Sequence, residues 1–228
     1  QVTYGLQPGS DWVATRIKAN DLGGNDFAVE WSGSGQPPSS VLRTPFHLVI
    51  PGRHNVSNAL ATIAVASLLG VDLGVVRAAL AGFRGVGRRF EVIGEAGGVT
   101  VVDDYAHHPG EIRATLAAAR ARYPGRRIVA VHQPHTYSRL KALLPDFAVA
   151  FTDADEVLIT DIYASRETDT LGMHARDLVA AMRHPAARYV SGLDAATEYV
   201  RSLLQPGDVL ITLGAGDVNK VGKEVLGK

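Results

Sequence analysis

Three short stretches of this 228-residue chain are rich in histidine, arginine, tyrosine or carboxylate side chains. They read Asp-Asp-Tyr-Ala-His-His-Pro at 103–109, His-Gln-Pro-His-Thr-Tyr-Ser-Arg at 132–139 and Asp-Ile-Tyr-Ala-Ser-Arg-Glu at 161–167. Imidazole groups exchange protons near neutral pH, and guanidinium groups form paired hydrogen bonds with phosphates or carboxylates. The three stretches are therefore candidates for a site that binds a small anion and moves protons.

The composition excludes several other kinds of site. With no cysteine, the chain has no disulfide, thiolate nucleophile or cysteine-ligated zinc. His107 and His108 are adjacent, so their side chains diverge, and no third ligand is conventionally spaced; we predict no metal site. Lys+Arg and Asp+Glu each number 23, a net charge of zero that lacks the basic footprint of nucleic-acid binding. No apolar run reaches the roughly 18–20 residues of a membrane span.

Strands and helices are predicted to alternate from Phe90 onward, and their order shows where in the fold the polar stretches lie. The predicted strands are 90–94, 99–103, 128–132, 156–160, 188–190 and 209–213, and the predicted helices are 109–121, 137–151, 175–182 and 194–204. Strands that are apolar throughout indicate a doubly wound α/β sheet with helices on both faces. Its ligand site is expected at the carboxyl ends of the strands, where the three stretches and Gly214–Asp217 lie. Helices that begin just after the first two stretches point their N-termini at this edge, which favours an anion.

The first 85 residues have a different pattern. Short segments at 2–4, 12–17, 27–31 and 47–50 predict a small antiparallel sheet, with turn clusters between them, the longest at 32–40. Two helices follow, at 54–69 with Val56, Leu60 and Ile63 on its apolar face, and at 73–81 with Asp72 as N-cap. The glycine-rich segment Gly82–Gly87 is the predicted boundary and hinge, which gives domains of 1–85 and 86–228.

Two further pairs of polar residues suit a nucleotide. Asn55 and Asn58 are spaced i and i+3 on the polar face of the first helix, and an asparagine amide both donates to and accepts from an adenine edge. Alternatively, Asn55 or Ser57 caps that helix, although a cap explains only one of the two asparagines. Arg88 and Arg89 at the boundary either hold a phosphate or ribose or form a solvated charge pair.

Each polar stretch also has a purely structural interpretation. Asp103 and Asp104 are common turn residues, Pro109 and Glu111 are typical of the first turn of a helix, and Gly214–Asp217 is a common type of turn. Four such clusters at the ends of four strands are harder to explain by turns alone. Their convergence favours a binding site.

Six strings together resemble the Mur ligase family, in the family's order and over nearly the whole chain: Gly-Arg-His-Asn-Val-Ser-Asn-Ala, Gly-Arg-Arg-Phe-Glu, Asp-Asp-Tyr-Ala-His-His-Pro, Gln-Pro-His-Thr-Tyr-Ser-Arg, Asp-Ile-Tyr-Ala-Ser-Arg-Glu and Gly-Ala-Gly-Asp. The resemblance implies that residues 1–85 end a central ATP-binding ligase domain and that residues 86–228 form a Rossmann-like C-terminal domain. The sequence has no Gly-x-x-x-x-Gly-Lys-Ser/Thr phosphate loop. We therefore expect a fragment that depends on missing N-terminal domains, including the UDP-binding domain, and is inactive alone.

The Asp-Asp-Tyr-x-His-His-Pro and Gln-Pro-His strings favour, by resemblance, the members that join L-alanine to UDP-N-acetylmuramate in peptidoglycan synthesis. That reaction implies ATP, an acyl phosphate, a bacterial cytoplasmic protein, and Mg²⁺ whose ligands are expected mainly in the missing part. The family's tripeptide-recycling ligase and a non-catalytic nucleotide- or amino-acid-binding module remain alternatives. A dinucleotide-dependent oxidoreductase is a weaker alternative, because the first βα turn contains no glycine.

The resemblance also implies roles for individual residues. The implied ATP contacts are Asn55 and Asn58 for adenine, Arg89 for the nucleotide and Asp104 for the ribose hydroxyls. The implied residues of the reacting centre and substrate site are Tyr105, His107, His108, His135 and Arg139.

Two features of this implied site stay open. His107, His108 and His135 are all candidate acceptors for a proton of the attacking amine, and the sequence offers no choice among them. Thr136 stands where many relatives carry arginine, which leaves Arg139 as the main cation for the amino-acid carboxylate or the phosphoryl group.

Overall fold

The structure, a computed structural model, describes residues 1–33 and 45–228. These residues form two compact units, Gln1–Gly85 and Val86–Lys228. Gly85, the last residue of the first unit, has φ 97°, a value that favours glycine. The assignment of the first unit to an ATP-binding ligase domain stays a prediction.

The first unit is a four-stranded sheet, in the order β1-β2-β3-β4, with two helices. Its elements are β1 (Tyr4–Gly5), β2 (Trp12–Ala19), β3 (Asn25–Trp31), β4 (Phe46–Leu48), α1 (Arg53–Leu68) and α2 (Leu73–Gly82). Strands β2, β3 and β4 are antiparallel as predicted, but β1 runs parallel to β2. The Asp11 carboxylate accepts hydrogen bonds from the Thr3 N–H and hydroxyl, which aligns residue 3 beside residue 11. The turn predicted at 32–40 lies mostly outside the described residues.

Side chains of this sheet pack against one face of α1. Phe27 and Phe46 stack with 5.6 Å between their ring centroids. Val56, Leu60 and Ile63 of α1 are fully buried in the same cluster. The predicted apolar face of the helix is therefore confirmed.

The second unit is a six-stranded sheet in the order β5-β6-β10-β7-β8-β9, with helices between its strands. Its elements are β5 (Glu91–Ala96), β6 (Val99–Asp104), α3 (Pro109–Arg122), β7 (Ile128–His132), α4 (Tyr137–Ala142), α5 (Leu144–Ala148), β8 (Glu156–Ile159), α6 (Ala175–Ala181), β9 (Ala187–Tyr189), α7 (Leu193–Leu203), β10 (Val209–Leu213) and α8 (Asn219–Val225). Neighbouring strands pair in parallel except for β5, which is antiparallel to β6. The predicted doubly wound sheet is confirmed.

Each face of this sheet has its own hydrophobic core. In β7, Ile128 and Ala130 belong to the core formed with α3 to α6, whereas Val129 and Val131 belong to the core formed with α7 and α8. Two covered faces require apolar side chains at successive strand positions, which explains the continuous apolar runs. The carboxyl ends of β6, β10, β7 and β8 consequently meet at one edge.

The helix boundaries agree only in part with the sequence patterns. The Asp72 carboxylate accepts hydrogen bonds from the N–H groups of Gly74 and Val75, which confirms the predicted N-cap of α2. The single helix predicted at 137–151 is wrong, because α4 ends at Ala142 and α5 begins at Leu144. Pro145 lacks an N–H, and its ring clashes with the carbonyl four residues earlier in a continuous helix. None of the helices in the described residues has the length and apolar character that crossing a membrane requires.

Candidate functional site

Four aromatic or imidazole rings form a continuous row along the carboxyl edge of the second unit. Tyr105 and His107 follow β6, His135 follows β7 and Tyr163 follows β8. The ring centroids are 5.4 Å apart for Tyr105 and His107, 5.6 Å for His107 and His135, and 5.6 Å for His135 and Tyr163. The structure thus brings the three polar stretches together, and we call these four residues the ring row.

Backbone hydrogen bonds between two loops hold half of the ring row. The Tyr163 N–H donates to the Pro134 carbonyl at 2.8 Å, and the Thr136 N–H donates to the Tyr163 carbonyl at 3.0 Å. The His135 and Tyr163 rings consequently stack at an interplanar angle of 19°. Thr136 adopts φ 68°, a strained value for a β-branched residue, and these loop contacts keep it there.

The loop after the central strand β10 packs directly against the ring row. At Gly216 an added Cβ would lie 2.3 Å from Gln133 Oε1 and 2.8 Å from the Tyr163 ring, so a side chain there would displace the Gln133 amide and the Tyr163 ring. Gln133 joins the loops after β7 and β10, since its amide accepts from the Asp217 N–H at 3.0 Å and donates to the Asp217 carboxylate at 3.1 Å. In the Gly-Ala-Gly-Asp string, Gly216 is therefore explained by the close approach of Gln133 and Tyr163, and Asp217 by its hydrogen bonds to Gln133.

Arg88 belongs to a buried group of hydrogen bonds beside the ring row. Its guanidinium donates to the Asp103 carboxylate at 2.8 Å and to the carbonyl oxygens of Gly214 and Gly216 at 2.8 and 3.2 Å. Asp103 also accepts from the Thr212 hydroxyl at 2.7 Å. These contacts attach the first residues of the unit to its central strands, so Arg88 is neither a solvated charge nor an open phosphate ligand. We call Arg88, Asp103 and Asp104 the anchor group.

Asp104, the predicted ribose ligand, completes the anchor group. One carboxylate oxygen accepts the Phe90 N–H at 2.8 Å, and the other accepts the Ala106 N–H at 2.7 Å. Burial raises the pKa of the Asp104 carboxyl group, although the hydrogen bonds to it and the nearby Arg89 act in the opposite direction. The side chain thus fixes the turn that leads into the ring row, and its ribose contact stays a prediction.

Arg89 differs sharply from its neighbour in the sequence. Its side chain is 53% exposed, and it lies 3.9 Å from the Glu111 carboxylate. The guanidinium also lies 5.6 Å from the centroid of the Tyr105 ring. An exposed cation beside the ring row is compatible with the predicted nucleotide contact, which stays a prediction.

Glutamate side chains occupy the N-termini of both helices that begin at the site. The Glu111 carboxylate accepts the N–H groups of His107 and His108 at 3.0 and 3.2 Å. At α4, the Glu167 carboxylate accepts the Ser138 N–H at 3.1 Å and the Ser138 hydroxyl. The structural interpretation of the start of α3 is confirmed by its capping box. Side chains of the protein already accept these N–H groups, and the binding of an anion at the two helix ends stays a prediction.

Hydrogen-bond partners fix the proton positions of His107 and His135. His107 Nδ1 lies 2.9 Å from the Tyr105 carbonyl oxygen, which can only accept, so Nδ1 carries the proton. His135 Nδ1 lies 3.0 Å from Arg139 Nη1, which can only donate, so the proton of this neutral ring is on Nε2. Burial, followed by the charges of Arg139 and His107, lowers the pKa of His135. The two neighbouring imidazoles therefore have opposite tautomers.

His132 belongs to the same sequence stretch as His135 but lies beneath the site. Its ring is fully buried against Phe147 and Phe151, and its Nδ1 donates to the Leu213 carbonyl at 3.0 Å. Among the described residues, its Nε2 atom is buried without a hydrogen-bond partner. Burial lowers the pKa of His132 to about 4. Its position as the last residue of an apolar strand is the sequence signal that distinguishes it from His135.

In the first unit, Asn55 and Asn58 lie in the first two turns of α1. Asn55 Nδ2 donates to the Pro51 carbonyl at 2.7 Å, and Asn58 Nδ2 donates to Asn55 Oδ1 at 3.4 Å. The N-cap is Gly52, without a side-chain cap, so the alternative in which Asn55 or Ser57 caps the helix is wrong. The adenine contact of the two asparagines stays a prediction.

The carboxylates near the ring row do not suit a magnesium ion. Mg²⁺ requires accessible oxygen ligands in octahedral geometry. Asp103 and Asp104 are buried in hydrogen bonds, and Glu111 caps α3. Across residues 1–33 and 45–228, no three histidine or acidic side chains are grouped so that they could hold a metal ion.

A doubly wound sheet with polar rings and cations at the carboxyl ends of its central strands defines a ligand-binding α/β domain of the Rossmann-like class. Residues 88–216 match the sequence profile of a family described as Mur ligase, glutamate ligase domain. The match covers more than half of the chain, and the chain belongs to the Mur ligase family. The family resemblance of its sequence strings is thus confirmed.

Curated and solved relatives extend this similarity over nearly the whole chain. The chain is 47% identical over 227 residues to the UDP-N-acetylmuramate–L-alanine ligase of Caldanaerobacter subterraneus subsp. tengcongensis, an alignment of 99% of this chain and 48% of that protein. The crystal structure of the UDP-N-acetylmuramate–alanine ligase from Thermotoga maritima superposes with a TM-score of 0.78 and 30% identity, over 99% of this chain and 47% of that one. The crystal structure of a murein peptide ligase from Psychrobacter arcticus superposes with a TM-score of 0.69 and 25% identity, over 99% of this chain and 45% of that one. The chain thus spans about half the length of these relatives.

Proposed function

We propose that this chain is part of an ATP-dependent ligase that joins L-alanine to UDP-N-acetylmuramate through an acyl phosphate. The observation that carries the proposal is the 47% identity to an L-alanine ligase along 99% of the chain. The ring row supports it, because imidazole and tyrosine groups beside Arg89 and Arg139 suit a centre where phosphate, carboxylate and amine meet. Because the chain spans about half of that relative, the proposed activity is that of a protein that also supplies the remaining segments.

The proposed reaction has two steps. The carboxylate of UDP-N-acetylmuramate attacks the γ-phosphate of ATP, which gives an acyl phosphate and ADP. The amine of L-alanine then attacks the acyl carbon, and inorganic phosphate leaves. Both steps gather negative charge, which fixed cations and N–H donors stabilise. In the second unit, the groups proposed for this task are Arg89, Arg139 and the Nε2–H of His135.

Arg139 is the proposed ligand of the L-alanine carboxylate. One of its terminal nitrogens is held 3.0 Å from His135 Nδ1 and 3.4 Å from the His135 carbonyl oxygen. The other edge of the guanidinium fork remains suited to a carboxylate, which it binds through two parallel hydrogen bonds. Thr136 adds no charge beside it, so Arg139 is the main cation of the amino-acid site.

The proposed ATP contacts are given for each unit by itself. Asn55 and Asn58 provide amides for the adenine edge, and Arg89 provides an exposed cation. Asp104 is the proposed ribose ligand, although each of its oxygens already accepts a backbone N–H. A carboxylate oxygen has two lone pairs, so a ribose hydroxyl would be an additional donor to a group whose position is already fixed.

A chimeric ligase tests this proposal. The chain replaces the aligned half of the Caldanaerobacter ligase, and phosphate release is measured with ATP, Mg²⁺ and UDP-N-acetylmuramate, with L-alanine or a murein tripeptide as the amine. Release that requires both UDP-N-acetylmuramate and L-alanine is the expected result. The isolated chain, which has no phosphate-loop string, is expected to release none.

The same assay separates the second candidate function. The similarity to the Psychrobacter murein peptide ligase favours a tripeptide as the alternative amine. Release with the tripeptide and none with L-alanine would replace the proposal with that function. A chimera that is folded by circular dichroism and releases no phosphate with either amine would contradict both.

A further inference from the structure

We propose that His107 Nε2 is the base that removes a proton from the ammonium group of the incoming amino acid, with Glu111 as the positioning residue that stabilises the protonated ring. This inference rests on the proposed ligase function. It selects one of three histidines that the sequence leaves equivalent, and the selection depends on which ring nitrogens the protein already uses.

His107 presents an unprotonated nitrogen at the ring row. Because its Nδ1–H donates to the Tyr105 carbonyl at 2.9 Å, the lone pair of the neutral ring is on Nε2. Among the described residues, Nε2 makes no hydrogen bond, and the side chain is 21% exposed. An acceptor nitrogen that is fixed in direction and accessible to substrate meets the geometric requirement for a general base.

Glu111 supplies the counter-charge that a protonated His107 requires. Its carboxylate lies 3.4 Å from His107 Nδ1 and accepts the His107 N–H at 3.0 Å. Although partial burial raises the pKa of Glu111, its hydrogen bonds to His107 and His108 and the charges of His107 and Arg89 lower it overall, so the carboxylate is ionised at neutral pH. A base oriented by a third group, which also stabilises its charged form, is the arrangement of many acid–base sites.

His135 cannot take the same role while its present contact persists. Its Nδ1 accepts from Arg139 at 3.0 Å, so protonation of Nδ1 would place two donors against each other. Its Nε2 already carries the proton of the neutral ring. His135 is therefore an N–H donor, suited to an oxygen of the acyl phosphate rather than to an ammonium group.

His108 is engaged in the start of α3. Its Nδ1 accepts the Gly110 N–H at 3.2 Å as the N-cap of that helix. Its ring makes none of the stacking contacts of the ring row, and its side chain is exposed. Of the three histidines, His107 alone combines a place in the ring row with an accessible lone pair.

The titratable and charged groups around His107 lie on its own loop, on α3, at the start of the unit, and on β7 with the segment that follows it. Tyr105 precedes it on its own loop, Glu111 faces it from α3, and Arg89 lies beyond Glu111 at 3.9 Å from that carboxylate. From β7 and the loop after it, neutral His132 and neutral His135 face the ring, with Arg139 behind His135. Among the described residues, the anion next to His107 Nδ1 is thus Glu111, whereas Arg89 and Arg139 contact Glu111 and His135 rather than His107.

The proposed step balances in atoms and charge. L-Alanine enters with a –NH3⁺ group and transfers one proton to His107 Nε2. The resulting amine forms the C–N bond to the acyl carbon, and the bond between that carbon and the phosphate oxygen breaks. The nitrogen gives its second proton to the departing phosphate, which leaves as HPO4²⁻, and His107 returns its proton to water. No other reactant is needed beyond the acyl phosphate of the proposed ligase reaction.

The test separates proton removal from acyl phosphate formation. In the chimeric ligase, His107→Asn keeps a donor at the position of Nδ1 and removes Nε2. Hydroxylamine, which is unprotonated at the assay pH, traps the acyl phosphate as a hydroxamate without a base. We expect kcat for L-alanine transfer to fall by about 100-fold, within the range for a lost general base, while hydroxamate formation changes by less than about 2-fold. His174→Asn is the control for replacing a histidine by asparagine, because His174 lies outside the ring row as the N-cap of α6.

Each outcome of this test has a distinct meaning. Equal losses of hydroxamate and L-alanine product in His107→Asn would show a structural role and overturn the assignment. Undiminished L-alanine transfer in that variant would also overturn it. If the unmutated, folded chimera forms no hydroxamate, the proposed ligase function fails, whatever His107 does.

Glu111→Gln tests the positioning role. The glutamine oxygen still accepts the two backbone N–H groups but carries no charge. Without the counter-charge the imidazolium is less stable, so the acid limb of the pH–rate profile for L-alanine transfer is expected to move to lower pH. An unchanged acid limb would contradict the role of Glu111.

Discussion

The anchor group and the ring row meet in one sequence motif, where Asp103 and Asp104 precede Tyr105 and His107, yet they differ in how fully their polar atoms are hydrogen-bonded. Asp103 and Asp104 are 2% and 5% exposed, and each accepts two or more hydrogen bonds. One and three residues after Asp104, Tyr105 and His107 are half-buried, and Nε2 of His107 makes no hydrogen bond among the described residues. A single motif, Asp-Asp-Tyr-Ala-His-His-Pro, therefore contains a part whose polar atoms bond within the protein and a part that we propose takes part in the reaction.

The two arginines at the start of the second unit show the same division. Arg88 donates to one carboxylate and two carbonyl groups, whereas Arg89 is 53% exposed with a distant ionic partner. Both have the same charge, and they are adjacent in the chain. Their difference shows that two adjacent residues of one type can differ in burial and in hydrogen bonding, which the sequence does not reveal.

Removal of a charge from the anchor group has the largest expected effect on stability. Asp103→Ala leaves the Arg88 guanidinium without its carboxylate, and breaking a buried ion pair typically costs about 3–5 kcal/mol. The Arg88 side chain is 27% exposed, so we expect the lower end of that range. Urea denaturation of the chain, followed by circular dichroism, measures the change in free energy of unfolding.

An exposed ion pair provides the control for this variant. Lys220 lies 3.0 Å from the Asp217 carboxylate with 61% of its side chain exposed. Lys220→Ala is expected to cost less than about 1 kcal/mol. If Asp103→Ala cost no more than Lys220→Ala, the distinction between a buried anchor group and an open ring row would fail.

His132 is expected to give the next largest effect, and this effect depends on pH. The folded-state pKa of His132, about 4, lies below the ordinary value of 6.5. Between pH 4 and pH 6.5 the unfolded chain therefore binds a proton at His132 that the folded chain does not. Stability therefore falls as the pH decreases from about 6.5 to 4, by an amount that reaches about 3 kcal/mol at the acid end. His132→Asn keeps a donor for the Leu213 carbonyl and has no imidazole to protonate. Its loss of stability between pH 7 and pH 4.5, measured in urea, should be clearly smaller than that of the parent chain; equal losses would exclude His132 as the source.

The smallest stability effect is expected in the ring row. His107→Asn replaces a half-buried ring and retains a donor to the Tyr105 carbonyl, so we expect a change of less than about 1 kcal/mol at pH 7. The same substitution at fully buried His132 removes packing against two phenylalanines and should cost more. Urea denaturation of both variants under one condition makes the comparison direct. A loss at His107 as large as that at His132 would mean that the ring row is structural.

Elements with strong periodicity could be predicted from the sequence, and elements set by single contacts could not. The apolar runs of β6, β7 and β10 and the buried face of α1 agree with prediction because burial on defined faces dictates those residues. The parallel pairing of β1 depends instead on the Asp11 side chain, and the division between α4 and α5 coincides with Pro145. The periodicity of apolar residues does not reveal how a single carboxylate or a single proline changes the path of the backbone.

The sequence alone determined that Asp104, His107, His135 and Arg139 collect at one edge of a doubly wound sheet. It did so because parallel strands place their carboxyl ends together, whatever the loops contain. It did not decide which of these groups are available. Arg88 binds Gly214, 126 positions away, and Gln133 binds Asp217, 84 positions away. Only the tertiary structure brings such partners together, and a side chain whose hydrogen bonds are satisfied by distant residues cannot be distinguished in the sequence from one that is open to a substrate.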